Sequence, residues 1–178
     1  LVVGRGLSVQ PVTPSVAIAA LSARRRSAMW FLYFAHSQDR ARYIAGQDTS
    51  GPVARLSYTY LHVVLVIGLV LGTHGSDLAL EHPGEPTDGV TQVLLFAGPA
   101  LYLAGLVAFK LSIGIPVGWI PWHRAGTVLL LALFGLSAVG GLNPTRLEAA
   151  LLSTAVLVLV VIGDEVEYLR REAQTASS

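Results

Sequence analysis

Within the stretch LSYTYLHVVLVIGLVLGTHGSDLALEHP, residues 56–83, five side chains could move a proton or hold an ion: Tyr58, His62, His74, Asp77 and Glu81. On a helix advancing about 100° and about 1.5 Å per residue, Tyr58 and His62 share a face at one end. His74, Asp77 and Glu81, at i, i+3 and i+7, share a stripe at the other. His62 and Asp77 then stand roughly 22 Å apart along the axis, so they belong to two sites.

The outer pair His74 and Asp77 has two readings. It is a proton or cation site at the mouth of a pathway, because ionisable groups in spans face protein or water, or a pair at headgroup level joined at i, i+3. His62 either bonds a neighbouring helix with support from Tyr58 or Tyr60, or relays protons near neutral pH. A metal centre needs three or four convergent ligands, whereas the His74/Asp77 spacing offers two, so no metal ligand and no cofactor is expected. Zinc-protease, Walker, Rossmann and GxSxG patterns are absent from the chain.

The elements that position these groups follow from composition. Of 178 residues 53% are hydrophobic and 13% charged, against about 25% charged in ordinary globular domains. That leaves too little polar surface for a water-soluble body. Lys plus Arg number 12 and Asp plus Glu 11, so no basic excess seeks nucleic acid. With no Cys, disulfides and thiolate metal sites are excluded.

A spanning helix takes about 20 apolar residues, and four stretches satisfy this: residues 58–80, 90–109, 125–142 and 147–163. The expected fold is an all-α transmembrane bundle with these four spans and a further N-terminal helix. Residues 1–57 form an N-terminal segment with a cytoplasmic loop, 58–163 the four-span region, and 164–178 a cytoplasmic tail. Loop charges agree: Arg40, Arg42 and Arg55 precede the first span, residues 81–89 hold no Lys or Arg, Lys110 and Arg124 flank the next connection, and Arg170 and Arg171 lie in the tail.

Residues 15–35 have the length of a span but carry Arg24, Arg25 and Arg26 near the middle, each costing about 2.5–3.5 kcal/mol on insertion. Three alternatives stand: an interfacial helix with Trp30, Phe31, Tyr33 and Phe34 among the headgroups, a broken span shielded by other helices, or a damaged copy of an ancestral helix. No signal peptide is read at the start. Residue 1 is Leu and the single Met is Met29, so the start is processed or non-standard, or the chain is a piece of a longer reading frame.

Glycine spacing points to packing. Gly68 and Gly72 form GxxxG with Gly75 a turn further on, and Gly98 and Gly105 repeat the theme on the second span, where Pro99 predicts a kink.

The motifs WFLYF (30–34), YTYLH (58–62), GSDLALEHP (75–83) and GPALYLAG (98–105) followed by FK, with a last apolar helix closing on acidic residues, resemble the bacterial low temperature requirement A (LtrA) family. The resemblance covers about residues 28–171. It implies a multi-pass protein of the bacterial inner membrane, roughly twice this length, of which this chain is the C-terminal part. The chain departs from the family pattern where Arg24–Arg26 interrupt an otherwise continuous apolar helix, and the upstream half with its GES-type motif is missing.

The leading functional expectation is a non-enzymatic membrane protein serving proton or solute permeation, with the polar groups of residues 58–80 facing the bundle. The rival is a structural or accessory membrane protein, or a truncated remnant of a longer one. A membrane enzyme ranks third, since no convergent catalytic pair can be named. The expected partners are the lipid bilayer and further membrane helices or a second copy of the chain; nucleic acid is not among them.

Overall fold

The computed structural model describes residues 14–34, 52–112 and 115–176, with the backbone alone at 14–19, 21, 22, 34, 52–58 and 176. Five helices account for most of these residues: α1 (Pro14–Phe34), α2 (Pro52–Glu81), α3 (Gly89–Ser112), α4 (Pro121–Ala138) and α5 (Arg146–Ala176). Of the cytoplasmic loop expected at 35–57, residues 52–57 instead form the first turns of α2, where Pro52 opens the helix; residues 35–51 and the first thirteen lie outside the described set.

Among the described residues three helices are long and apolar enough to cross a membrane: Thr59–Glu81, Gly89–Ser112 and Arg146–Thr175. The fourth expected span, residues 125–142, is not among them. The apolar run 125–142 begins a turn after its helix does, and the first turn of α4 is Pro121, Trp122, His123 and Arg124. The helix also stops at Ala138, because Gly140 turns left-handed at φ 74°, a conformation glycine adopts at little cost. The Gly141 and Leu142 amides both turn back to the Leu136 carbonyl. Eighteen residues make about 27 Å of helix, slightly under the roughly 30 Å hydrocarbon core.

Each helix shows a local cause. Asp88 caps α3, its carboxylate accepting the Thr91 amide at 2.7 Å. Thr145 and Glu148 form a reciprocal capping box at the start of α5, with Thr145 N donating to Glu148 Oε2 and Glu148 N donating to Thr145 Oγ1. Pro121 opens α4, where its missing N–H removes no helical bond.

The core is Met29, Leu32, Leu65, Phe96, Leu103, Leu106, Leu130 and Leu157, drawn from all five helices. The outside is also apolar: Val63, Ile67 and Val70 on α2, Val128, Leu129 and Leu131 on α4, and Leu151, Leu159 and Ile162 on α5 are all exposed. A water-soluble bundle would cover those faces with charge; lipid suits them as they stand.

α2 and α3 make the closest contact. A Cβ on Gly68 would stand 2.6 Å from the Tyr102 nitrogen and 2.9 Å from the Gly98 oxygen, and one on Gly75 2.9 Å from the Leu94 backbone carbon. Any larger residue at either position would have to push the backbones apart. Gly98 faces Leu71 and Gly72, and Gly105 faces Val64 and Leu65. Gly72 itself faces the guanidinium of Arg25.

Near Pro99 the α-helical pattern of α3 widens into a π turn over Val93–Ala97, with the Gly98 amide reaching back to the Val93 carbonyl. In a regular helix the Leu95 carbonyl would accept the amide four residues on, but that residue is Pro99 and has no N–H. Arg25 fills the gap: its Nη2 donates to Leu95 O at 3.1 Å and its Nη1 to Ser76 Oγ at 3.2 Å.

Candidate functional site

α1 runs unbroken through its three arginines, each placed differently. Arg24 is exposed. Arg25 is buried between α2 and α3. Arg26 pairs with Asp77 on α2 at 3.3 Å, both side chains about half exposed. α1 packs against α2 and α5 antiparallel to α2: its Arg26 meets Asp77 near the end of α2, and its Tyr33 meets His62 nearer the start.

The residues expected to do chemistry on α2 do not converge. His62 is exposed; its Nδ1 lies 3.3 Å from the Tyr33 hydroxyl, with the two rings edge to face. Asp77 is held by Arg26 on another helix, while His74 and Glu81 are exposed. The side chain of Tyr58 lies outside the described residues. Among the described residues no three His, Asp or Glu side chains gather as a metal would need.

A different constellation does converge, at the other end of the bundle. Lys110 from the last turn of α3, His123 from the first turn of α4 and Asp164 from α5 meet inside it, with Lys110 1%, His123 0% and Asp164 14% exposed. Lys110 Nζ lies 2.8 Å from His123 Nε2, and Asp164 reaches both partners, 3.7 Å from Lys110 Nζ and 3.5 Å from His123 Nδ1. Lys110 Nζ also lies 3.3 Å from His123 Nδ1, so it approaches both ring nitrogens.

Aromatic packing seals this end. Trp122 lies against Gly163, the residue before Asp164, so closely that a Cβ there would enter the indole ring. The buried Ile120 ends a short 3-10 turn, Val117–Trp119, over the cluster. From α5, Arg171 clamps that turn: it donates to the Gly118 carbonyl at 3.1 Å and to Glu167, and its guanidinium stacks 4.5 Å over the Trp119 ring. The opposite end is tied by backbone, Thr87 N to Pro144 O, Arg146 N to Glu85 O and Leu147 N to Pro83 O, and by the Arg146–Glu85 ion pair.

Sequence reasoning passed over Lys110, His123 and Asp164 because each stands at the edge of an apolar run, where a charge reads as a solvated end. A faint signal existed: after residue 90, each junction between an apolar run and the connection on this side carries one such group.

The fold and these charged contacts define an all-helical membrane protein, with ionisable groups enclosed at both ends of its bundle. The chain belongs to the bacterial low temperature requirement A protein (LtrA) family, whose pattern it matches over residues 1–162. It is also similar to an uncharacterized protein of Rhizobium meliloti (strain 1021), at 32% identity over 150 residues, covering 82% of this chain and 35% of that protein. The chain thus spans about a third of that relative's length. No solved structure matches it.

Proposed function

We propose that the chain forms the helical bundle of a multi-pass protein of the bacterial inner membrane, and that Lys110, His123 and Asp164 form a proton-exchanging site serving proton or solute permeation. The observation that carries this reading is the burial together of three ionisable side chains from three helices. Inside spans such groups are expensive and mark proton relays more often than decoration.

The chemistry available is specific. A second proton on His123 would set an imidazolium 2.8 Å from an ammonium, a repulsion that burial magnifies. A proton therefore enters only as Lys110 releases one or swings toward Asp164, so the cluster exchanges one proton at a time. The exposed apolar face of α4 supports a fourth crossing beside the three long helices. Lys110, Arg124, Arg170 and Arg171 gather at the cluster end, which supports placing it and the C-terminus in the cytoplasm. Arg146 and the arginines of α1 lie nearer the other end, four against these four and the three of residues 40–55. The partners in this reading are the bilayer and either further helices of a longer LtrA protein or a second copy of this chain.

The test is proton flux into vesicles reconstituted with the protein. His123→Gln and Asp164→Asn should each abolish a flux that the unchanged protein shows, while His62→Gln and Asp77→Asn leave it intact. Persistence of flux in both cluster variants would remove the cluster from the mechanism.

One observation favours a second reading, an accessory module that only packs with other helices. Between the cluster and the outer end the interior is packed with Leu103, Leu106, Leu130, Leu157 and Val160. In that reading the cluster pins three helices together, and the unchanged protein carries no flux to lose.

A further inference from the structure

Between α1 and α2 lies a groove of about 940 Å³ that opens sideways from the bundle, with Trp30 and Phe31 exposed at its mouth. Its walls are apolar: Met29, Leu65, Val66, Leu69 and Val161. Polar atoms mark the two ends, Arg26 and Thr73 at the outer one, Tyr33 and His62 at the inner one. From Thr73 to His62 is roughly 16 Å along the helix. Water in such a slot would find few hydrogen-bond partners, whereas a hydrocarbon chain would find contact on three sides.

Charge at the outer end is unbalanced. Arg25 and Arg26 bring two guanidinium groups to one level, and the described carboxylate there is Asp77, paired with Arg26. Arg25 is satisfied by neutral oxygens, and its Nε has no partner among the described residues. The next carboxylate on α2, Glu81, is exposed a turn further out, and His74 is exposed a turn below Asp77.

We infer that the groove seats one acyl chain of an anionic phospholipid from the outer leaflet, with the lipid phosphate at Arg26 and the chain running toward Tyr33 and His62. Apolar walls supply the affinity, and the excess cation at the mouth supplies the selectivity for an anionic headgroup. Asp77 is the competitor: it occupies Arg26 when no phosphate does, so binding exchanges one anion for another at the same guanidinium.

Trp30 lines the groove and reports on it. Protein in vesicles containing phosphatidylglycerol or phosphatidylcholine with brominated chains, at equal mole fraction, is compared with its Trp30→Phe variant, so that the difference isolates the fluorescence of Trp30. Quenching of that component should be stronger with the brominated anionic lipid by about fivefold, the worth of one basic side chain near an anionic surface. Arg26→Gln should bring the ratio close to one, Arg26→Lys should keep most of it, and Asp77→Asn should raise it, in proteins whose circular dichroism shows the helices intact. Equal quenching by both lipids in the unchanged protein would mean ordinary boundary contact and overturn the inference. So would a preference that survives Arg26→Gln, or loss of quenching by both lipids in a protein that migrates as a dimer, since a second copy would then fill the groove.

Discussion

The two ends of the bundle both bury cations, and they satisfy them by opposite means. At the end that the proposed topology makes the outer one, Arg25 is answered by fixed neutral oxygens, the Leu95 carbonyl that Pro99 leaves without its amide and the Ser76 hydroxyl. At the inner end Lys110 is answered by groups that can themselves gain or lose a proton. A guanidinium on a carbonyl stays charged and holds a shape. An ammonium beside an imidazole and a carboxylate has several protonation states within reach. The same cost of burying charge therefore yields a brace at one end and, in the function proposed above, a proton-exchanging site at the other.

The largest effect that would break this comparison is expected at the inner end. Asp164→Leu leaves Lys110 and His123 buried without their anion, a change that typically costs about 3–5 kcal/mol. Adding Lys110→Met to that variant should recover most of the loss, because the buried charge that faced Asp164 goes with it. Unfolding free energies in detergent measure both, and a double variant as unstable as the single one would show that Asp164 acts on something other than Lys110. Next in size is Gly68→Leu, which drives a side chain into the α3 backbone; overpacking of this kind costs about 1–3 kcal/mol, and Gly84→Leu, open on all sides, is its control.

Arg25 should respond in a way that Lys110 does not. Arg25→Leu strands the Leu95 carbonyl, and an unsatisfied buried acceptor costs about 1–3 kcal/mol. Pro99→Ala restores an amide four residues on, so the double variant Arg25→Leu, Pro99→Ala should be more stable than Arg25→Leu alone. If the second change adds to the damage instead, the carbonyl is not what Arg25 serves.

Much of the fold was legible because apolar runs are a direct record of lipid exposure. α2, α3 and α5 follow from them. α4 was read four residues too long, since Val139, Leu142 and their neighbours continue the apolar composition while the Gly140–Gly141 pair ends the helix. The three arginines of α1 read as an obstacle to a helix in lipid, because insertion costs are counted per residue and carry no information about a proline seventy-four positions away that needs a donor. The inner cluster was illegible for the same reason: Lys110, His123 and Asp164 are separated by 13 and 41 positions on three helices, and no periodicity relates them. His74, Asp77 and Glu81 show the converse, a regular stripe on one helix whose middle member pairs with another helix while its ends are exposed.

The smallest expected effect separates the solvent-facing charges from both buried sets. Asp88 sits outside the spans at the start of α3, and the Thr91 side-chain and backbone hydrogen bonds, with help from the charge of Arg146, hold its carboxyl below the usual carboxylate range. A group whose folded pKa is depressed stabilises the fold above its unfolded value and loses that contribution as pH falls through the folded one. The contribution of Asp88 should therefore be complete above about pH 4 and disappear on further acidification. Asp88→Ala should cost about 1 kcal/mol, the usual worth of a capping side chain, with the difference from the unchanged protein shrinking below that pH. Amide exchange at Val90 to Gln92 reads this locally, where Asp164→Leu would instead loosen the inner ends of α3 and α4. A pH-independent gap between Asp88→Ala and the unchanged protein would mean that the cap acts through backbone geometry and not through its charge.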